Sequence, residues 1–307
     1  MDPNPNFIER TIDNAELTKL LDKLGYYMDD CVNFGSHLVE WIAQSKTLSI
    51  HDAVLISNLR HFIEQIDACS VLIKKAISEP CHILLRASFE SFLIGSYILQ
   101  ADQEQRGKAF QYFQFLEQIK LLDKLDNTTE VGKQHAAIIG KDDHIHSMPI
   151  TPPGNAATIR SNIMARINSS TYASIHAEYT ALKAAKPKTK LQWYMLFGGP
   201  ASIENMADVN GNSGLYEEFY RHTSGFVHGT KIMSNAIDEH GLNQIRLPFN
   251  AQFICFFSLS LSFLLYRKYV ESYRNDKLAD YVNWYLSLRD GYLIVSRDDI
   301  IKFNRTQ

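Results

Sequence analysis

The amino-acid sequence predicts an all-α protein, a helical bundle of roughly eight to ten helices with long loop insertions. Apolar side chains recur three and four residues apart along most of the chain, as on one face of an α-helix. Sustained alternation of apolar and polar residues is scarce, so no sizeable sheet is expected. The 307 residues, 45% of them hydrophobic, can form a core without disulfides or a structural metal.

The first 126 residues divide into an N-terminal helix within residues 1–48 and core helices within 49–126. Apolar periodicity begins at Leu17. Ser49 is a suitable N-cap for the second helix, and Pro80 suits the first turn of the third. The predicted helices of this region cover residues 17–42, 49–77, 81–100 and 103–125.

Residues 127–214 are predicted to form a loop-rich insertion, because the segment is polar and broken by Thr-Pro-Pro-Gly and Asn-Gly-Asn-Ser-Gly. One or two helices at 156–186 and a short helix at 201–209 are expected within it. Helical periodicity returns in residues 215–307. This region is predicted to contain one helix with a polar motif, followed by the C-terminal helices. These last helices are predicted at 215–234, 249–275 and 277–289. We expect residues 1–307 to form a single domain.

Composition limits location and binding. With 31 basic and 34 acidic residues, the formal net charge is −3, so attraction for nucleic acid requires a local basic patch. The four widely spaced cysteines predict buried free thiols in a reducing compartment. The N-terminus does not resemble a signal peptide, and residues 251–266 fall short of the ~20 apolar residues of a membrane span. A cytoplasmic protein without membrane association is therefore expected.

Arg86 and Glu90 are the only ionic residues of the third predicted helix, CHILLRASFESFLIGSYILQ. They lie one turn apart on one face, and removing such ions from water is costly unless they are paired. Two interpretations follow. The two residues form a self-satisfied buried pair that fixes helix register, or they border a polar cavity where Arg86 presents its guanidinium to a phosphate or carboxylate.

Tyr216, Tyr220, Ser224 and His228 follow one another at intervals of four and would form one polar stripe on a helix. Such a stripe suits neither a hydrophobic core nor a merely solvated face. Arg221 lies beside it, seven residues before His228.

This pair of residue types is suited to RNA cleavage. A histidine that titrates near neutral pH can take the proton of a ribose 2′-OH, and an arginine can stabilise the pentacovalent phosphate that forms. The reaction needs no metal or other cofactor. In the alternative interpretation, Arg221 lies in solvent and His228 is a hydrogen-bonded core histidine.

The segment from Arg221 to His228 resembles the R-x(4–6)-H motif of HEPN domains, all-helical ribonucleases and nucleotide-binding modules of prokaryotic conflict systems. The resemblance implies metal-independent RNA cleavage that leaves a 2′,3′-cyclic phosphate, usually at a site made by two protomers. It also implies that Arg221 and His228 are catalytic and that His222 assists. A toxin or antiviral defence role, with an antitoxin or defence partner protein, agrees with this resemblance.

The chain is also similar to a helical bacterial family with an LLR-x3-E helix and a downstream W…Y-x3-Y-x3-S-x3-H-G pattern. The matching residues are Leu84, Leu85, Arg86, Glu90, Trp193, Tyr216, Tyr220, Ser224, His228 and Gly229. The similarity covers most of residues 50–235. It implies that the Arg86–Glu90 pair and the polar stripe belong to one site.

Two further groups of polar side chains lie between the third predicted helix and the polar stripe. Four lysines form a run with no acidic residue among them: Lys183, Lys186, Lys188 and Lys190. They could contact an RNA backbone, with Trp193 and Tyr194 stacking on bases, or they belong to a solubilising loop. The segment Asp-Asp-His-Ile-His at 142–146 carries metal-binding groups, but a polar loop is favoured and no metal site is predicted.

The sequence therefore favours a dimeric HEPN-like endoribonuclease that acts on RNA. In this hypothesis His228 is the general base or acid, Arg221 stabilises the phosphate, His222 and Ser224 position the groups, and the ion pair of the third helix supports them. The alternative is a non-catalytic helical module that binds a nucleotide, a small ligand or a partner protein through the polar stripe.

Overall fold

The computed structural model describes residues 4, 7–8, 12–45, 48–142, 155–227, 229, 237–238, 241–242 and 245–297. Helices dominate this part of the chain, which confirms the predicted all-α fold. The strands found there are short: Ile237–Asp238 (β1) and Gly241–Leu242 (β2) pair antiparallel, and an isolated bridge joins Ile8 to Ile245.

The chain divides into two compact units, one formed by residues 1–101 with 202–307 and the other by residues 102–201. The first unit contains the helices α1 (Ala15–Ser45), α2 (Ile50–Lys74), α3 (Cys81–Gln100), α8 (Ile203–Val209), α9 (Ser213–Leu215), α10 (Arg221–Val227), α11 (Ala251–Tyr273) and α12 (Leu278–Arg297). The second contains α4 (Gln103–Leu125), α5 (Glu130–Ile139), α6 (Ala156–Ile167), α7 (Ala173–Ala185) and the 3₁₀ segment Trp193–Gly198. The boundary between the units falls after α3, so α4, which the sequence groups with the core helices, belongs to the second unit.

The helix starts follow the local signals in the sequence. The Ser49 hydroxyl accepts a hydrogen bond from the Asp52 backbone N–H, and the Asp52 carboxylate accepts one from the Ser49 N–H at 2.8 Å. This reciprocal capping box satisfies two backbone donors at the start of α2, as expected from Ser49. The α4 range agrees with the predicted helix at 103–125.

Three predicted segments differ from the structure. Residues 130–139, assigned to a loop, form α5, because Thr129 caps the helix by accepting the Gly132 N–H. The helix predicted at 215–234 is helical throughout its described residues 215–227, but residues 216–220 form a π-helical turn instead of an α-helical one. Residues 228 and 230–234 of the predicted helix lie outside the described part. The last helix continues to Arg297 rather than ending at 289.

Helix α11 is the central apolar element of the first unit and packs against α1, α3 and α12. It extends beyond the 16-residue apolar stretch 251–266 through the charged residues Arg267, Lys268 and Glu271. Within the described residues it is the one helix long and apolar enough to cross a membrane, and 72% of its most apolar window is buried in the bundle.

Buried tyrosines connect the helices of this unit. Tyr266 donates to the backbone oxygen of Cys31 on α1 at 3.0 Å, and Tyr269 donates to that of Leu55 on α2 at 2.8 Å. Each phenol brings a large apolar ring into the core and still satisfies its hydroxyl. All four cysteines are free and buried, as predicted, and burial raises the pKa of Cys31 to about 12.

Replacing Gly35 on α1 by alanine should destabilise the protein by about 1–3 kcal/mol, the usual cost of overpacking. A Cβ at Gly35 would lie 2.5 Å from the Tyr266 hydroxyl and 2.8 Å from Ile63, which outweighs the better helix propensity of alanine. Gly214→Ala is the matched control, since a Cβ there meets no atom within 4 Å. Urea denaturation compares the two variants, and equal stability would contradict the packing described for Gly35.

Candidate functional site

A π-helical turn, Tyr216–Tyr220, joins α9 to α10. Such turns are rare, widen the helix and occur frequently at functional sites. The rings of Tyr216 and Tyr220 stack here with centroids 4.9 Å apart and planes inclined by 20°. The first half of the predicted polar stripe therefore lies on this turn, and Ser224 follows on α10.

The side chain of Arg86 joins α3 to this stripe. Its Nη2 donates to the Tyr220 hydroxyl at 2.8 Å, its Nη1 to Ser224 Oγ at 3.1 Å and its Nε to Glu90 Oε1 at 3.3 Å. The Tyr220 hydroxyl in turn donates to Glu90 Oε1 at 3.0 Å. We call these four residues the Arg86 network. The structure thus brings the ion pair of α3 and two members of the stripe into one hydrogen-bonded group.

The Arg86 network runs from the interior of the bundle to solvent. The Arg86 side chain is 17% exposed, whereas that of Glu90 is 40% exposed. The Arg86 guanidinium also lies over the Tyr220 ring, with Cζ 4.5 Å from its centroid. Burial, together with the negative charge of Glu90, raises the pKa of Tyr220 to about 12. Tyr220 therefore stays a neutral hydrogen-bond donor at physiological pH.

Arg221 has different surroundings, at the surface of the same unit. Its side chain is 54% exposed and forms two ion pairs, through Nε with Glu217 at 2.8 Å and through Nη2 with Glu204 at 3.1 Å. Its Cζ lies 5.5 Å from the centroid of the Tyr216 ring. The hydrogen bond and charge of Glu217 raise the pKa of Arg221, so the guanidinium is always charged.

Neither glutamate was singled out from the sequence. The spacing of Glu217 and Arg221, one helical turn, was a usable signal. Glu204 lies on α8 and meets Arg221 only through the tertiary fold, so no local pattern indicates it.

His222 packs in an aromatic cluster rather than beside the carboxylates that hold Arg221. Its ring centroid lies 5.2 Å from that of Phe253, 5.8 Å from that of Phe226 and 5.9 Å from that of His82. His82 is fully buried and stacks on Phe226 with centroids 4.0 Å apart. Sequence reasoning missed His82, although it lies one turn before Arg86 on α3.

The remaining predicted site residues are distributed as follows. His228 lies outside the described residues, as do 143–150, which contain both histidines of the Asp-Asp-His-Ile-His segment. In the part of the chain that is described, no group of three His, Cys, Asp or Glu side chains could hold a metal ion. The four lysines at 183–190 are exposed and belong to the second unit.

The structure contradicts one role expected near those lysines. Trp193 was one of two residues considered for base stacking, but its ring is buried and packs edge-on against Phe110 with centroids 5.3 Å apart. An indole enclosed in this way serves the core of the second unit. Tyr194 is half-buried beside it, at 5.6 Å between ring centroids.

Tyr220→Phe should lower the free energy of unfolding by about 1–3 kcal/mol near neutral pH, because Arg86 and Glu90 each lose a hydrogen-bond partner. The difference from wild type should shrink at alkaline pH. The pKa of Tyr220 is about 12 in the folded state, raised from an ordinary value near 10. The neutral phenol therefore stabilises the folded state fully below pH ~10, and this stabilisation is lost as the pH rises toward 12.

Chemical denaturation of both proteins between pH 7 and 11 measures this difference, and Tyr26→Phe on an exposed part of α1 is the control. A constant difference between wild type and Tyr220→Phe across that range would contradict the assigned surroundings of the phenol.

The chain matches a known protein family over most of its length. Residues 52–244 match the model of DUF5677, a family of unknown function, and this range includes the whole Arg86 network, Arg221 and His228. No curated protein and no solved structure matches the chain. Since the matched range is more than half of the 307 residues, the chain belongs to the DUF5677 family.

Proposed function

We propose that the chain is a HEPN-like, metal-independent endoribonuclease of the cytoplasm, which cleaves RNA by attack of a ribose 2′-OH on the adjacent phosphate. The observation that carries the proposal is the exposed guanidinium of Arg221 on α10, the helix that the Arg86 network hydrogen-bonds to α3. His228 would take the proton of the 2′-OH, and Arg221 would stabilise the phosphate as negative charge develops.

The Arg86 network supports this role because catalytic groups must be held within about 0.5 Å of their productive positions. The guanidinium of Arg86 bonds to Tyr220 just before Arg221 and to Ser224 three residues after it. These bonds fix both ends of the first turn of α10. Ser224 and Tyr220 are thus positioning residues, and Arg86 with Glu90 supports them.

The glutamates on Arg221 do not prevent phosphate binding. All three side chains are more than half exposed, and ion pairs between exposed side chains contribute little because water screens them. A phosphate offers the guanidinium two parallel charge-assisted hydrogen bonds, which are stronger than ordinary ones. Substrate can therefore displace Glu204, the partner from another helix.

The HEPN resemblance further suggests a homodimer and a toxin or antiviral defence effector with an antitoxin or partner protein. In such a dimer, two copies of the Arg221 surface would face one RNA strand. Both points agree with the exposure of the Arg221 side chain.

The proposal predicts that purified protein cleaves mixed RNA in EDTA and leaves 2′,3′-cyclic phosphate ends. His228→Ala and Arg221→Ala should each reduce the cleavage rate about 10²- to 10⁴-fold, the range for loss of general acid–base or electrostatic catalysis. Arg60→Ala is a matched control, since Arg60 is also exposed and pairs one turn away with Glu64. Gel analysis and end-group mass spectrometry provide the readout.

A second candidate function is favoured by the paired state of both arginines. Arg86 is bonded within its network, and Arg221 is held by two carboxylates, as in a non-catalytic module that binds a nucleotide, small ligand or protein through the polar stripe. If well-folded wild-type protein cleaves RNA no faster than His228→Ala does, the ribonuclease proposal is rejected in favour of this one.

A further inference from the structure

The second unit carries a group of lysines around the carboxylate of Glu117. On α4, Lys120 donates to Glu117 at 2.6 Å, and this bond, followed by the charges of Lys120, Lys190 and Lys124, lowers the pKa of Glu117. Lys190 belongs to the loop after α7, so this loop lies close to the last turns of α4. Several ammonium groups near one carboxylate leave an excess of positive charge there.

The loop after α7 has a defined shape. The ammonium group of Lys183 donates to the backbone oxygens of Pro187 at 2.9 Å and Thr189 at 3.2 Å, which closes the loop onto the end of its helix. Lys183 therefore serves the loop itself. Lys186 and Lys188 are left exposed on it, beside Lys190.

An exposed aromatic side chain follows this loop, in the 3₁₀ segment Trp193–Gly198. Phe197 is 39% exposed and has φ +56°, a left-handed conformation that costs a non-glycine residue about 1 kcal/mol. Its backbone N–H donates to Glu178 Oε1 at 3.0 Å. Seven residues separate Lys190 from Phe197, so their Cα atoms lie at most about 25 Å apart.

We propose that this lysine surface binds a single-stranded nucleic acid. It consists of Lys120, Lys124, Lys186, Lys188, Lys190 and Phe197. The ammonium groups would neutralise successive phosphates, and Phe197 would stack on an unpaired base, the combination that single-strand binding requires. A duplex, whose bases already stack on one another, offers no partner for Phe197.

The charge distribution favours this ligand. Residues 102–201 contain 12 basic and 9 acidic residues, whereas the whole chain carries a net charge of −3. The local excess of positive charge that nucleic-acid binding demands is thus found in the second unit. The identification of the bound nucleic acid as RNA rests on the proposed function. Binding of a single-stranded nucleic acid does not itself require cleavage.

Binding is measured by fluorescence anisotropy with full-length protein and a fluorescein-labelled 2′-O-methyl oligouridylate of about 12 nucleotides, within the usual site size. This probe has no free 2′-OH and is not cleaved. Lys188→Gln with Lys190→Gln should weaken binding and reduce the slope of log K against log salt by about 1.4, or about 0.7 per lost phosphate contact. Lys19→Gln with Lys75→Gln, on the first unit, should change neither.

Phe197→Asn tests the stacking contact, because asparagine tolerates the left-handed backbone. It should weaken binding about fivefold or more without changing the salt slope, as expected for loss of one base–aromatic stack. Tyr26→Asn removes another exposed ring, on α1, and should leave binding unchanged.

The inference is overturned by unchanged affinity and salt slope in the double lysine variant, or by equal binding of a duplex of the same length. The outcomes for cleavage are separate. Binding that depends on the lysine surface without any cleavage of RNA would reject the ribonuclease proposal alone, and cleavage without such dependence would reject the lysine surface alone.

Discussion

Placing the guanidinium of Arg86 inside a helical bundle is the constraint around which the first unit is arranged. A cation removed from water costs several kcal/mol, and it is tolerated only where oxygen atoms replace the lost hydration. Glu90 supplies one such oxygen from the same helix, and Tyr220 and Ser224 supply two more from a segment over 130 residues away. The need to hydrogen-bond the Arg86 guanidinium therefore holds α10 against α3. It also fixes the direction of the chain after Ser224.

The two proposed activities belong to different units and depend on different physics. The positive charge of Arg221 is exposed and is balanced by two glutamates. It therefore suits a short-range, charge-assisted hydrogen bond to a phosphate that has already reached the site. On the lysine surface the charge is in excess and the contacts are long-range, which suits attraction of a polyanion before any specific step. A chain of net charge −3 can act on nucleic acid in this way because its positive charge is concentrated.

Local signals predicted most of the helices, because caps and apolar periodicity act over a few residues: Ser49 at α2 and the bounds of α4 are examples. The same reasoning found Arg86 with Glu90 and the tyrosine stripe, since both follow helical spacing. It missed Glu204, which reaches Arg221 only through the fold, and it could not decide the role of Trp193, whose burial depends on packing against α4. Helix α5 was missed because its polar residues and single cap resemble those of a loop.

The π-helical turn makes the position of the site sensitive to the number of residues in the chain. Each residue of an α-helix advances the side-chain direction by about 100°, so the loss of one residue in Tyr216–Tyr220 would rotate everything downstream by that angle relative to α9. Ser224 would then point away from Arg86, although no residue of the network had been substituted. Length variation among related chains is therefore expected to be confined to segments outside this turn, whereas substitutions on its solvent side are tolerated.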